Sequence, residues 1–242
     1  MMSIPENKEF KKIQFYLTAN YNCGYLPEKK AQSIVASPYQ NVNQNEFDNL
    51  ITIGFRRSGN HVYKPHCHNC EACTPIRLDV NRFKRNRTQD RCFKKNNLLV
   101  VEEDLDFLEE DFLLYSKYQK IRHNDLSSSL EDQREDYKNF LLTSNFNSKK
   151  IRFYHNDKLL MVSIVDYLND GISAVYTFYD RNYLKQSLGT YSILWLVEKC
   201  KIENLPYLYL GYWIKENDKM NYKTKFKPFE LFEEKQWKIF NE

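Results

Sequence analysis

The apolar positions of this chain change period several times. From Lys150 to Asp180, "KIRFYHNDKLLMVSIVDYLNDGISAVYTFYD" alternates like strands and predicts a three-stranded antiparallel meander. Asn156-Asp157 is the expected first turn. Asp170-Gly171 is the expected second, because Asp-Gly suits a turn with positive φ at both positions. "SLGTYSILWLVEKCKIEN" (187–204) then switches to helical spacing, with Thr190, Ile193, Leu194, Val197 and Cys200 on one stripe. Pro206 follows the break, and "YLYLGYWI" (207–214) reads as a buried strand. Upstream, Phe107, Leu108, Phe112, Tyr115 and Tyr118 predict a helix over 105–122. Leu130, Tyr137, Phe140 and Leu141 predict another over 130–142.

A meander, a helix and a further strand make an α+β arrangement. The acetyltransferase-like (GNAT-type) fold shares this order, and there the helix after the meander aims its N-terminus at a polar acyl donor. Residues 1–80 read as short strands and loops. "FYLTANYNCGYLPEKKAQ" (15–32) is expected to hold an extended start, a Cys-Gly turn and a helix opening at Pro27. "NLITIGFRRSG" (49–59) and "PIRLDV" (75–80) read as strands around a cysteine loop. "RFKRNRTQDRCFKKN" (82–96) carries seven cations and one acid, and "VEEDLDFLEEDF" (101–112) reverses the sign. Opposed charge blocks mark a surface and a boundary. The expectation is a smaller cysteine-containing N-terminal domain over 1–100 and an acyl-transferase-like domain over 101–242.

Composition narrows this picture. With 242 residues there is room for one large domain or two small ones. The longest apolar run, Ile193–Val197, is too short to span a bilayer, so no membrane partner is expected. "MMSIPENKEFKKIQF" offers no apolar leader, and six cysteines are too sparse for a disulfide scaffold. Together these point to the cytoplasm. A net charge of +4 permits a nucleic-acid partner without requiring one.

The candidate chemistry falls in four stretches. In "HCHNCEAC" (66–73), Cys67, Cys70 and Cys73 supply three thiolates, and a structural metal site wants four ligands. The fourth is Cys23, His66 or His68. Thiolates serve zinc and an iron–sulfur cluster alike, so spacing does not separate them. Cys92 and Cys200 stand apart and read as structural. The second stretch is the nucleic-acid footprint: Arg82, Lys84, Arg85, Arg87, Arg91, Lys94 and Lys95 for phosphates, with Phe83 and Phe93 for stacking. Its alternative is a solvated charged surface. In "GFRRSG" (54–59), neighbouring Arg56 and Arg57 face opposite sides of a strand, and one of them suits an acidic substrate. "SLGTY" (187–191) opens a helix whose N–H groups suit a phosphate or a carbonyl oxygen, or are simply capped by Ser187. His123 reads as a helix-end residue.

Read together, "NCGYLP" (22–27), "GFRRSGNHVYKPHCHNCEACTPIR" (54–77), "SAVYTFYD" (173–180), "SLGTY" and "YLYLGYWIKENDKMNYKTKFKP" (207–228) resemble the aminoacyl-tRNA–protein transferase family. The match is to its short bacterial branch, the aspartate/glutamate leucyltransferases, and runs from about residue 15 to 232. The resemblance implies a cytoplasmic N-degron enzyme that moves leucine from leucyl-tRNA to the α-amine of proteins beginning with Asp or Glu. It implies no cofactor for transfer, and a structural zinc or iron–sulfur cluster at Cys23, Cys67, Cys70 and Cys73. Leu26 and Ala72 depart from the cysteine pairs of the longer relatives, and Asp90 stands where a further arginine is usual. For such a transfer the candidate proton acceptor is a carboxylate such as Asp180 or a water chain, and the candidate oxyanion-binding backbone is Tyr176–Phe178. Arg56, Arg57 and Arg77 are the implied cations for the acidic acceptor. Tyr176, Gly189, Thr190 and Trp213 are placed around the aminoacyl end. The alternatives are arginine as donor, a non-catalytic metal-containing RNA-binding module, and a CoA-dependent acetyltransferase.

Overall fold

The computed structural model describes residues 13–123 and 129–240. The expectation about an N-terminal leader lies outside these residues, as does the side chain of His123. In chain order the strands are β1 (Phe15–Leu17), β2 (Tyr21–Asn22), β3 (Lys30–Ala31), β4 (Ser33–Ala36), β5 (Arg56–Ser58), β6 (His61–Pro65), β7 (Thr74–Asp79) and β8 (Leu99–Glu103). They continue with β9 (Ser148–His155), β10 (Lys158–Leu168), β11 (Gly171–Tyr179), β12 (Tyr207–Trp213), β13 (Phe229–Glu233) and β14 (Gln236–Phe240). The helices are α1 (Gln44–Thr52), α2 (Arg87–Lys95), α3 (Glu109–His123), α4 (Leu130–Tyr137) and α5 (Leu188–Ile202). A π turn, Lys138–Leu142, extends α4 over the rest of the expected second helix.

Eight strands form the central sheet in the order β14-β13-β7-β12-β11-β10-β9-β8. The meander β9–β10–β11 sits where the alternation puts it. Its first turn has positive φ at Asn156 and Asp157, as Asn-Asp allows. The second turn departs from expectation. Leu168 pairs with Gly171, so the turn residues are Asn169-Asp170 and neither has positive φ. Gly171 serves a close approach instead: a Cβ there would stand 2.3 Å from the Tyr207 carbonyl oxygen. α5 crosses over from β11 to β12, which run parallel for only three pairs, Gly171–Ser173 against Tyr207–Tyr209. Beyond these pairs the two strands part. The register of β12 against β7 shifts between Tyr209 and Tyr212, where Gly211 takes φ of 81°.

Helices cover both faces of the sheet. On one side α5 and α2 bury Leu194, Val197 and Cys200 against Ile151, Met161, Ile172 and Leu208. On the other, α3 and the α4 π turn bury Phe112, Tyr115, Tyr137 and Leu141 against Val162, Ile164 and Phe178. Alternate residues of the meander feed the two cores, so its strands are apolar on both faces. The acid block 101–112 is more than a surface feature. Asp111 is fully buried and accepts from Lys150 Nζ at 2.8 Å and Arg152 Nε at 2.9 Å, fastening α3 to β9.

The N-terminal segment builds a four-stranded sheet, β1-β4-β6-β5, and a β2-β3 hairpin. It also lends β7 to the middle of the central sheet, and residue 100 falls inside β8. Two local expectations fail here. Residues 44–52 are helical because Asn43 and Glu46 form a capping box, so the strand begins only at Arg56. Pro27 opens no helix. Glu28 takes φ of 71°, and the hairpin closes through Cys23 N to Lys29 O at 2.9 Å.

Candidate active site

The parting of β11 from β12 leaves a cavity of about 550 Å³. One wall is β11 from Ala174 to Tyr179, another is the start of α5, and the floor closes with Leu210 and the 3₁₀ turns carrying Lys219, Tyr222 and Lys223. α5 begins in the cavity because Ser187 adopts a left-handed conformation (φ 54°) that turns the chain sharply from the preceding 3₁₀ segment. The Ser187 side chain does not cap; its carbonyl accepts from Thr190 N at 2.9 Å and Tyr191 N at 3.0 Å. A Cβ on Gly189 would lie 3.4 Å from the Tyr179 ring, so this glycine lets the ring lie against the helix start. Thr177 and Ser192, both on the wall, share hydroxyl contacts with Ser163 at 3.0 and 2.8 Å. The remaining lining is largely apolar or aromatic, including Leu188, Ile193 and Leu196, and among the described residues none of the lining is acidic.

Tyr176, Gly189 and Thr190 therefore meet on one cavity. Trp213 and Phe178 do not line it. Trp213 pairs with Thr74 and packs into the α5-side core, and Phe178 lies wholly inside the α3-side core. Asp180 does not line it either. Its carboxylate accepts from Lys117 Nζ at 3.1 Å and Asn182 N at 3.0 Å, and pairs with Lys158 at 3.2 Å. Burial raises its pKa, but these donors outweigh burial and hold it below the usual carboxylate value.

The three arginines separate clearly. Arg57 is sealed against Asp166. Arg77 is bonded to Glu230 at 2.6 Å, with its guanidinium 3.5 Å over Tyr207 and 4.3 Å over Trp237, away from the cavity. Arg56 reaches the parted strands, donating from Nη2 to Ala174 O at 2.5 Å. Sequence reasoning missed Lys223. "NYKTKFKP" offers three lysines, and nothing in their spacing marks the first as buried. In the structure it is 8% exposed, lines the cavity and donates to Tyr212 O at 2.5 Å. Burial first, and then Arg56, push its ammonium down to about 7.

The basic segment splits into bonded and exposed cations. Arg85 stacks on Phe93 at 4.2 Å and faces Asp90 and Glu198; Arg82 pairs with Asp79 and Lys94 with Asp90. Lys84, Arg87, Arg91 and Lys95 point to solvent, with Lys95 also reaching Lys185 O. Phe83 is core and Phe93 packs against Tyr191, so neither ring is available to stack on a base. α2 touches the cavity mouth: Asn96 Nδ2 donates to Gln186 O at 2.8 Å, and Cys92 Sγ reaches Gln186 O and Ser187 O.

Cys23, Cys67, Cys70 and Cys73 gather in one neighbourhood. Burial, and then the other three sulfurs, raise the Cys73 thiol to about 12. Leu26 N donates to Cys23 Sγ at 3.4 Å and Gln32 N to Cys67 Sγ at 3.5 Å. Among the described residues, however, no group of three or more His, Cys, Asp or Glu is arranged to hold a metal ion. The thiolate donor type suits a soft metal, and the described arrangement does not.

Comparison with known proteins identifies the class of enzyme. Residues 21–91 match the family model described as "Arginine-tRNA-protein transferase, N terminus", and residues 110–233 match its C-terminal counterpart. These matches make the protein an aminoacyltransferase. The aspartate/glutamate leucyltransferase of Methylobacillus flagellatus is 49% identical over 238 residues, covering 98% of this chain and 96% of that protein. Those of Thiobacillus denitrificans and Nitrosospira multiformis are each 44% identical, covering 96% and 94% of this chain and 97% and 90% of theirs. The chain belongs to the aspartate/glutamate leucyltransferase branch of the arginine-tRNA-protein transferase family.

Proposed function

We propose that the protein takes leucine from leucyl-tRNA and joins it to the α-amine of proteins beginning with Asp or Glu, marking them for degradation in the cytoplasm. The observation that carries this reading is the cavity between β11 and β12, apolar in its middle and cationic at both ends. At the Ser187 end it opens beside the exposed cations of α2, which suit the phosphates of a tRNA. At the Ala174 end stand Arg56 and Lys223. The lining favours leucine over arginine as donor, because an arginyl group would need a carboxylate partner and the described wall residues include none. We assign the sheet to the acetyltransferase-like fold on the parallel pair β11–β12, crossed by α5 and parted after three residues.

The reaction asks little of the protein. The donor ester is already activated, and an α-amine with a pKa of about 7.7–8.0 is partly neutral near pH 7. The amine nitrogen attacks the ester carbonyl, the C–N bond forms, and the ribose hydroxyl leaves with a proton. Holding the amine and the ester together supplies much of the rate. In this reading Tyr176, Gly189 and Thr190 surround the aminoacyl end, while Asp180 and Phe178 hold the wall behind it.

A transfer assay tests the reading. Leucyl- and arginyl-tRNA are each offered with peptides beginning Asp, Glu or Ala. The expected product is leucyl peptide from the Asp and Glu peptides only. No product from either tRNA would sink the enzyme reading, and transfer to the Ala peptide would sink acid recognition.

A further inference from the structure

At the Ala174 end of the cavity, two buried cations meet main-chain carbonyls instead of carboxylates. Arg56 donates to Ala174 O on β11, and its guanidinium lies beside Gly211, with Cζ 3.7 Å from where a Cβ would stand. Lys223 donates to Tyr212 O on β12. That bond commits one of three ammonium donors. Arg56 Nη1 is buried and has no acceptor among the described residues. Asp166, the carboxylate that acts on Arg56, already accepts from Arg57 at 2.7 Å and Ser148 at 2.6 Å. Arg56 and Arg57 therefore share one carboxylate, and among the described lining residues Lys223 has none. Burying cations in excess is costly, and such an arrangement persists where a ligand brings the missing anion.

The position of this excess favours one anion. Ala174 and Tyr179 mark opposite ends of the β11 wall, about 17 Å apart at the rise of an extended strand. The exposed α2 cations adjoin the far end, through Gln186 and Ser187. A tRNA backbone held there leaves the Ala174 end to the other substrate. Arg57 and Arg77 are committed to Asp166 and Glu230, so neither is available to that substrate.

We propose that Lys223, backed by Arg56, receives the side-chain carboxylate of the acceptor's first residue and so sets the preference for Asp and Glu. This inference rests on the leucyl-transfer reading. A lysine suits the task because Asp and Glu differ by one methylene. A compact charge on a flexible four-carbon stem follows the carboxylate to either depth, where a rigid guanidinium fork would select one. The groups around the ammonium are Arg56, the Tyr212 main-chain carbonyl and the Tyr222 ring, with Lys219 also on the cavity lining. Among the described residues no acid lines the cavity, so the substrate's own carboxylate completes the pair. Its arrival draws a proton onto a lysine that is only partly charged near neutral pH.

The test uses the full chain, leucyl-tRNA, and matched peptides beginning Asp, Glu, Asn or Gln. Lys223→Met is expected to lower kcat/KM for the Asp and Glu peptides by about 100-fold. The slow transfer to Asn and Gln peptides should stay within about threefold, so that discrimination collapses. Lys225→Met, an exposed neighbour that does not line the cavity, should change all four by less than about threefold. Equal losses on all four peptides in Lys223→Met would overturn the inference. So would a raised KM for leucyl-tRNA with the peptide KM unchanged, which would place an RNA phosphate at this end. A second measurement needs no variant. Wild-type calorimetry near pH 8, in two buffers of different ionisation enthalpy, is expected to show proton uptake with the Asp peptide and none with the Asn peptide; equal uptake overturns it. Failure of the wild type to transfer to any peptide would sink the leucyl-transfer reading, while the calorimetry still reports on Lys223.

Discussion

Arg57 Nε donates to Asp166 Oδ1 over 2.7 Å, with the two side chains 0% and 1% exposed. The bond joins β5 of the small sheet to β10 of the central one. It also settles the division of labour in "GFRRSG": adjacent strand residues point oppositely, so Arg57 is spent on structure and Arg56 turns toward the parted strands. Nη1 and Nη2 of Arg57 and Oδ2 of Asp166 are buried without hydrogen-bond partners among the described residues, so the pair depends on one good contact. Arg57→Met strands a buried carboxylate and is expected to cost about 3–5 kcal/mol by urea denaturation. Arg57→Met with Asp166→Leu should recover most of that loss. A double variant as unstable as the single one would contradict the pairing.

Gly171 and Gly189 bracket the cavity wall and should respond oppositely to alanine. At Gly171 a Cβ would sit 2.3 Å from Tyr207 O and 3.0 Å from its carbonyl carbon, both main-chain atoms that cannot swing aside. Gly171→Ala is expected to lose about 2–3 kcal/mol by pushing β12 away from β11. At Gly189 the neighbour is a ring edge at 3.4 Å, in the first turn of a helix. Gly189→Ala should hold or gain stability, by up to about 1 kcal/mol, while the narrower cavity slows transfer. Thermal melts beside single-turnover rates separate the two effects.

The contrast between these glycines shows what could be read from sequence. The meander, α5 and β12 were legible because their apolar periods are long and unbroken. The Asn43–Glu46 capping box was present in the sequence yet lost beneath a short apolar run that suited either state. Gly171 looked like a turn residue because Asp-Gly usually is one. Its true constraint comes from Tyr207, thirty-six positions away, and local patterns do not carry it. The site divides in the same way. Tyr176, Gly189 and Thr190 fell beside recognisable motifs and meet on the cavity. Asp180, Phe178 and Trp213 lie in the same motifs, but their surroundings are decided by Lys117, by the α3 core and by β7. Lys223 was invisible because burial of one lysine among three is decided by where β12 bends at Gly211.

The basic segment should behave as two populations. Lys84, Arg87 and Arg91 are exposed, whereas Arg85 stacks on Phe93 and is tied to α5 through Glu198. Replacing the first three with alanine is expected to weaken tRNA binding and reduce the slope of log K against log salt by about 2–3. Folding should change little. Arg85→Ala should instead lower stability by about 1 kcal/mol with a smaller change in salt slope. Filter binding across a salt series, paired with urea midpoints, distinguishes the two. An unchanged slope in the triple variant would remove these residues from the tRNA interface.

Burying Lys223 has a consequence for stability that runs against its proposed use. Burial and Arg56 hold its pKa at about 7, whereas an unfolded chain leaves lysine near its ordinary value of about 10.4. Between those values the unfolded state holds the extra proton, so stability rises with pH across this window. Below about pH 7 both states are charged and the full burial penalty applies. Lys223→Met removes the charge while keeping most of the apolar stem, at the loss of the bond to Tyr212 O. The variant is therefore expected to be more stable than the wild type at pH 6.5, on the order of 2 kcal/mol, with the advantage shrinking by pH 9. Urea midpoints at pH 6.5, 7.5 and 9 measure this directly. A variant less stable than the wild type at pH 6.5, or a difference that ignores pH, would mean that the lysine is not held against its charge. The expected pattern is that of a binding group: the substitution that relieves the fold is the one that costs recognition of the acidic acceptor.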